Sequence, residues 1–211
     1  ESWRKLFIKE FRHSASIRHM AFAWDSTEGE TGAIEPFVEA GFVFELDDVL
    51  TATRLHPPAN YNSEIAVREI VNDEDWKKIC KLRVYCDGKE EDNDYVEFVQ
   101  KRMQAFRKIS EMGLGTWFGA FIKDKLVADV GLYTGGGTLG RFRLPETHPD
   151  HRKKGICSNL LFHAPEYGFN EMGFEKLLIV ADRAYHAGKV YRSVGFEVTE
   201  YGASLISKTQ F

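Results

Sequence analysis

The stretch "ETHPDHRKKGICSNLL", Glu146 to Leu161, places Arg152, Lys153, Lys154 and Gly155 between a strand-like segment and the start of a helical one. A helix N-terminus exposes backbone N–H groups that have no partner within the helix, at the positive end of its dipole. A glycine-bearing turn entering such a terminus can converge several amides on an anion, and glycine lets the ligand approach the backbone. Here the turn is Arg152-Lys153-Lys154-Gly155-Ile156-Cys157. A pyrophosphate is the ligand this chemistry favours. The alternative on the residues alone is a solvated basic turn that joins a strand to a helix.

On either side of this corner the sequence alternates strands and helices. Upstream, "EIAVREI" alternates as a strand does, and Asn72, Asp73 and Asp75 offer caps to a helix carrying Trp76, Ile79 and Cys80. Past the acidic loop "DGKEEDND", Tyr95, Phe98, Val99, Phe106 and Ile109 recur at helical spacing as far as Gly113. "GTWFGAFI" and "LVADVGLY", joined by Lys123-Asp124-Lys125, read as a hairpin, and "TGGGTLG" turns into the strand "RFRLPET". Downstream, Ile156, Leu160 and Leu161 start a helix running toward Gly173, with a kink expected at Pro165. "EKLLIVAD" reads as a buried strand, "AYHAGKVYRSVG" as a short helix stopped by Gly195, and "FEVTEY" and "SLISKTQF" as two closing strands. The order implies an α/β fold of α+β type, a mixed sheet with helices on both faces.

Composition excludes several functions. The 211 residues are 43% hydrophobic, enough for one large domain or two small ones. A formal net charge of −4 argues against nucleic-acid partners, whose binding depends on Lys and Arg neutralising phosphates. Cys80, Cys86 and Cys157 are odd in number and form no CxxC pair, so neither a disulfide framework nor a zinc cage is expected and a cytoplasmic location is. No apolar run is long enough to span a membrane, the first residues do not resemble a signal peptide, and the missing initiator Met suggests that residues precede Glu1. His148 and His151 lack a nearby third ligand, so no metal is expected.

The quoted motif resembles the acyl-coenzyme A-binding motif of the GNAT N-acetyltransferases: Arg or Gln, two residues, Gly, one residue, then Gly or Ala. "ADRAYHAGKVYRSVGF" resembles the same family's later helix, whose Tyr precedes a Gly-Phe pair. The resemblance runs from about Ile65 to the end. It implies the GNAT fold, acetyl-coenzyme A as co-substrate without a metal, and a small-molecule or peptide amine as acceptor. It further implies that the amides of Lys153, Lys154, Gly155, Ile156, Cys157 and Ser158 hold the pyrophosphate beside Arg152. Glu146 and Thr147 would pair with the pantetheine amides, and Tyr191 would protonate the leaving thiolate.

Three residues depart from the family. Cys157 replaces a smaller residue, and Pro145 lacks the N–H that commonly meets the thioester carbonyl at this place in the strand. Arg141 stands where many members carry a glutamate base. Glu146 is therefore carried as a catalytic candidate, with His148, Asp129, Glu90 and Glu91 as further possible bases.

The N-terminus contains a partial repeat. "EPFVEAGFVFELDDVLTA" aligns with "KVYRSVGFEVTEYGASLI", setting Phe37 on Tyr191 and Gly41-Phe42 on Gly195-Phe196, while "MAFAWD" resembles "LLIVAD". With Pro57-Pro58 and "ANYNS" as linker, residues 1–60 are read as a degenerate GNAT-like unit and 61–211 as the acetyltransferase domain. Two other functions remain open: a non-catalytic acyl-coenzyme A-binding or regulatory module, and a tandem-GNAT aminoacyl or long-chain acyl transferase. A homodimer is a further expectation.

Overall fold

In the computed structural model, residues 2–14, 17 and 19–207 are described. Two compact units are present. One comprises residues 1–50, 180–188 and 198–211, and the other residues 51–179 and 189–197.

In the larger unit, β3 (Ala66–Glu69), β4 (Gly115–Ile122), β5 (Lys125–Gly136) and β6 (Leu139–Thr147) form successive antiparallel pairs, and β7 (Lys176–Asp182) joins β6 in parallel. The sheet is mixed, as the sequence implies. β4 and β5 form the expected hairpin, turning at Lys123, whose φ is 55°. Helix α3 (Asp73–Cys86) begins where Asn72 accepts the Asp75 N–H at 2.9 Å, and α4 (Asn93–Glu111) where Asp92 accepts the Tyr95 N–H at 3.0 Å. Both cover the face of Trp117, with Trp76, Ile79, Leu82, Val99 and Met103 closing the core. Helix α5 (Ile156–Asn170) lies on the opposite face, where Tyr167 meets Phe118 edge-on at 5.7 Å. It passes through Pro165 and ends at Asn170, three residues short of Gly173.

The smaller unit contains α1 (Ser2–Phe11), β1 (Met20–Ser26), α2 (Glu35–Glu39), most of β2 (Val43–Ala52) and nearly all of β8 (Glu197–Ser207). The helix α6 (Ala187–Arg192) precedes β8. Met20, Phe42 and Leu205 form the buried centre, ringed by Phe7, Phe22, Trp24 and Phe37. β8 is one strand where two were expected, because Gly202 stays extended and pairs with Asp25. Lys208 to Phe211 of that expected strand lie outside the described residues. β1 pairs with β8 along its whole length, from Met20–Ser207 to Ser26–Tyr201. β8 thus belongs almost entirely to the same compact unit as β1. No helix among the described residues is long and apolar enough to cross a membrane.

The repeat appears in how two helices end. After α2, Phe42 N–H donates to Phe37 O (2.9 Å) and Gly41 N–H to Val38 O (2.9 Å), with Gly41 at φ 87°. After α6, Phe196 N–H donates to Tyr191 O (3.3 Å) and Gly195 N–H to Arg192 O (3.1 Å), with Gly195 at φ 109°. The same aligned positions make the same two bonds, and each glycine occupies a conformation other residues rarely adopt.

The start of α3 carries a charge cluster. The Asp75 carboxylate, 2% exposed, accepts from Arg68 Nη1 (2.6 Å) and Nη2 (3.0 Å), Asn72 Nδ2 (2.9 Å) and Lys78 Nζ (3.4 Å). The Arg68 hydrogen bonds hold its pKa below the usual carboxylate range against the effect of burial. A carboxylate with a lowered folded pKa stabilises the fold above its unfolded value, about 4, and that contribution is lost as pH falls through the folded value. Urea unfolding at a series of pH values should find wild type more stable than Asp75→Asn near neutrality and the difference shrinking below about pH 4. A gap independent of pH would contradict this.

Candidate active site

The site begins with a fault in β6. Across β5, Arg143 faces Gly131 and Glu146 faces Asp129, so Leu144 and Pro145 together oppose Val130 alone. This is a β-bulge, with Leu144 at φ 50°. A bulge leaves its extra residue out of the ladder, which is where a strand can accommodate a proline. On the other edge, β6 pairs with β7 only from Leu139–Lys176 to Arg141–Leu178. Beyond Arg141, the β6 backbone has no ladder on that side among the described residues.

The bulge is held from α3. Arg83 Nη2 donates to Leu144 O (2.6 Å) and also to the Asp129 carboxylate, which accepts from Trp117 Nε1 at 2.9 Å. Asp129 is fully buried, which raises its pKa, while Arg83 opposes the rise. Cys86, in the last turn of α3, directs its thiol toward Thr147 O at 3.8 Å.

After β6 comes a 3-10 turn, Pro149–His151, and then the basic corner. Arg152 is extended, Lys153 takes φ 59° and Gly155 φ 73° as the cap of α5. Asn159 makes the first backbone bond of the helix, to Gly155 O at 3.0 Å. The N–H groups of Ile156, Cys157 and Ser158 therefore precede the ladder, without an acceptor among the described residues.

The linker packs directly on this corner. A Cβ on Gly155 would lie 2.2 Å from Asn60 O. Buried Asn159 donates through Nδ2 to Gly155 O (2.6 Å) and Asn60 O (3.2 Å), Asn62 Nδ2 donates to Lys154 O (2.9 Å), and Tyr61 Oη meets His163 Nε2 at 3.1 Å.

A model of the Acetyltransferase (GNAT) family matches residues 76–196. The chain belongs to the GNAT acetyltransferase family. Solved structures share this GNAT fold at low identity. A functionally unknown conserved protein from Staphylococcus epidermidis aligns with a TM-score of 0.69 at 13% identity, over 98% of this chain and 79% of that one. A GCN5-related N-acetyltransferase from Sphaerobacter thermophilus gives 0.69 at 18% identity, over 99% and 69%. A tandem GNAT protein from the clavulanic acid biosynthesis pathway gives 0.67 at 13% identity, over 97% and 69%. No curated protein matches the chain.

Within this GNAT domain the motif cations differ in what they meet. Arg152 donates from Nε to Thr147 O (3.0 Å) and from Nη2 to Glu146 Oε1 (3.2 Å), and Lys154 donates to Asp150 O (2.8 Å). Lys153 is exposed and has no partner among the described residues. The Glu146 carboxylate also accepts the Thr147 N–H at 3.1 Å. Burial and the charge of Glu146 push the Cys157 thiol up to about 12, which favours its protonated form. Tyr191 is buried at the end of α6, an element separate from the corner. His148 stacks on Tyr85 at 4.7 Å, and among the described residues no group of three His, Cys, Asp or Glu is placed to hold a metal.

Arg83, Asn60, Asn62 and Asn159 were not picked out from the sequence. Asn159, four residues beyond the motif glycine, was the readable signal, since that position returns to the helix face above Gly155.

Gly155 meets two constraints at once. Gly155→Ala should lose about 1–2 kcal/mol for the left-handed backbone alone, and more for displacing Asn60. Urea unfolding with an unchanged midpoint would show that neither constraint holds.

Proposed function

We propose that this protein transfers an acetyl group from acetyl-coenzyme A to a primary amine on a small molecule or peptide. The observation that carries the reading is the set of unpartnered amides at Ile156, Cys157 and Ser158, beside the stretch of β6 that β7 leaves unpaired. Anions bind such a terminus.

The residues divide the work as follows. The amides from Lys153 to Ser158 hold the pyrophosphate, with exposed Lys153 and Arg152 supplying charge. The backbone of Glu146 and Thr147 pairs with the pantetheine amides along the free edge. The amine attacks the thioester carbonyl, and the oxyanion takes a backbone N–H from next to the bulge, since Pro145 has none. Glu146, whose carboxylate is held by Arg152, is the proposed acceptor of the amine's proton. The buried Tyr191 hydroxyl protonates the departing thiolate.

Pro145 favours one other reading, a coenzyme A-binding module that does not turn over. Thiol release from acetyl-coenzyme A with a panel of amines separates the two.

Tyr191→Phe keeps the ring and removes the proton donor. With chemistry limiting, turnover should fall by roughly 10²-fold while coenzyme A affinity and melting temperature hold. Full turnover would return Tyr191 to a packing role. Gly155→Asp places a carboxylate against Asn60, next to the anion site, and should weaken coenzyme A binding well beyond tenfold, about 1.4 kcal/mol. Calorimetry finding equal affinity in a folded variant would remove the pyrophosphate assignment.

A further inference from the structure

Two arginines precede the bulge on one face of β6. Arg141 stands opposite Tyr133 and Arg143 opposite Gly131 across β5, and residues directly opposite in an antiparallel ladder share a face. Trp117 is also opposite Gly131, which puts both arginines on the side that α3 and α4 cover. Arg143 is two residues before Pro145, about 7 Å along the strand, and Arg141 is the last β6 residue paired with β7. The pair therefore adjoins the place where the proposed reaction occurs.

Both side chains are half-buried, and among the described residues neither donates a hydrogen bond or forms an ion pair. The positions across the ladder supply no carboxylate. Gly131 has no side chain, and the Tyr133 hydroxyl is committed to Ser110 at 2.8 Å and Phe106 O at 3.1 Å. The two cations also act on each other: burial and the charge of Arg141 draw the Arg143 guanidinium below its ordinary pKa. Two like charges, partly stripped of water and left unpaired, are unfavourable until an anion joins them.

We propose that Arg141 and Arg143 form a recognition site for an anionic group, a carboxylate or a phosphate, carried by the acceptor a few bonds from its amine. A guanidinium presents paired N–H donors that match either group. The same two charges repel a polycationic acceptor. They also disfavour the protonated form of an amine held beside them, so more of it is the neutral nucleophile. That effect reduces the demand on Glu146, which Arg152 engages. The acceptor assignment rests on the acetyl-transfer reading, whereas anion binding by the pair does not.

The test is thiol release from acetyl-coenzyme A with matched amines: phosphoethanolamine against ethanolamine, aspartate against asparagine, and spermidine as the polycation. At least one anionic member should exceed its neutral partner tenfold or more in kcat/KM, and spermidine should be poorest. Which pair responds distinguishes phosphate from carboxylate. In Arg141→Gln and in Arg143→Gln, checked for folding by melting temperature, that preference ratio should fall at least tenfold, mainly through KM, and Arg143→Lys should restore part of it. Spermidine or a neutral amine as the best acceptor, or a ratio unmoved in both variants, would overturn the proposal. If coenzyme A binds but no amine is acetylated, the acetyl-transfer reading fails and calorimetry decides the pair. Phosphoethanolamine or aspartate should then bind wild type and not the double glutamine variant, and binding that survives the double substitution, or none to wild type, overturns the anion site.

Discussion

Arg83 joins three elements through one guanidinium. From α3 it reaches the carboxylate of Asp129 on β5 and the carbonyl of Leu144 at the bulge of β6, while Trp117 on β4 supplies a further donor to Asp129. Asp129 is fully buried, so removing its cation would leave a buried charge, at a cost of about 3–5 kcal/mol. The pair need not be the most stable way to fill this space. Its effect is geometric, because it ties the bulge to helix and hairpin at once. The bulge in turn sets where Glu146 and Thr147 lie, and those residues hold Arg152 at the head of the basic corner.

The corner is equally constrained from outside the motif. Gly155 is needed for its backbone conformation and for the room it leaves to Asn60, and Asn159 spans the two carbonyls. The contacts with Asn60 cross about a hundred residues of sequence, and they freeze part of a segment that composition alone marks as linker. The entropy of ordering "ANYNS" is offset by hydrogen bonds made in a partly dry setting. A preformed turn then binds its anion without first having to be ordered.

Most local structure was legible in the sequence. The hairpin of β4 and β5, the capped starts of α3 and α4 and the glycine that opens α5 follow from periodicity and turn chemistry within a few residues of each site. What was not legible depends on distant pairing. "FEVTEY" and "SLISKTQF" read as two strands because Gly202 usually punctuates, yet β1 runs alongside and keeps the segment extended as far as Ser207. Arg83 reads as an ordinary helix charge, since nothing near it in sequence announces Asp129 or Leu144. The asparagines of the linker carry no period at all, and their partners lie in a motif that reads as complete without them.

The pairing of β1 with β8 has a consequence for how the protein comes into being. Residues 20–26 leave the ribosome about 180 residues before their partners at 201–207. Between the two events the translating chain must carry a strand with an open edge and the aromatic cluster of Phe7, Phe22 and Phe37 without Leu205 to close it. The larger unit holds most of its strands and helices in one continuous stretch, residues 51–179, and can form in the order of synthesis. β1 thus waits for a partner that is made only after the whole continuous stretch of the larger unit.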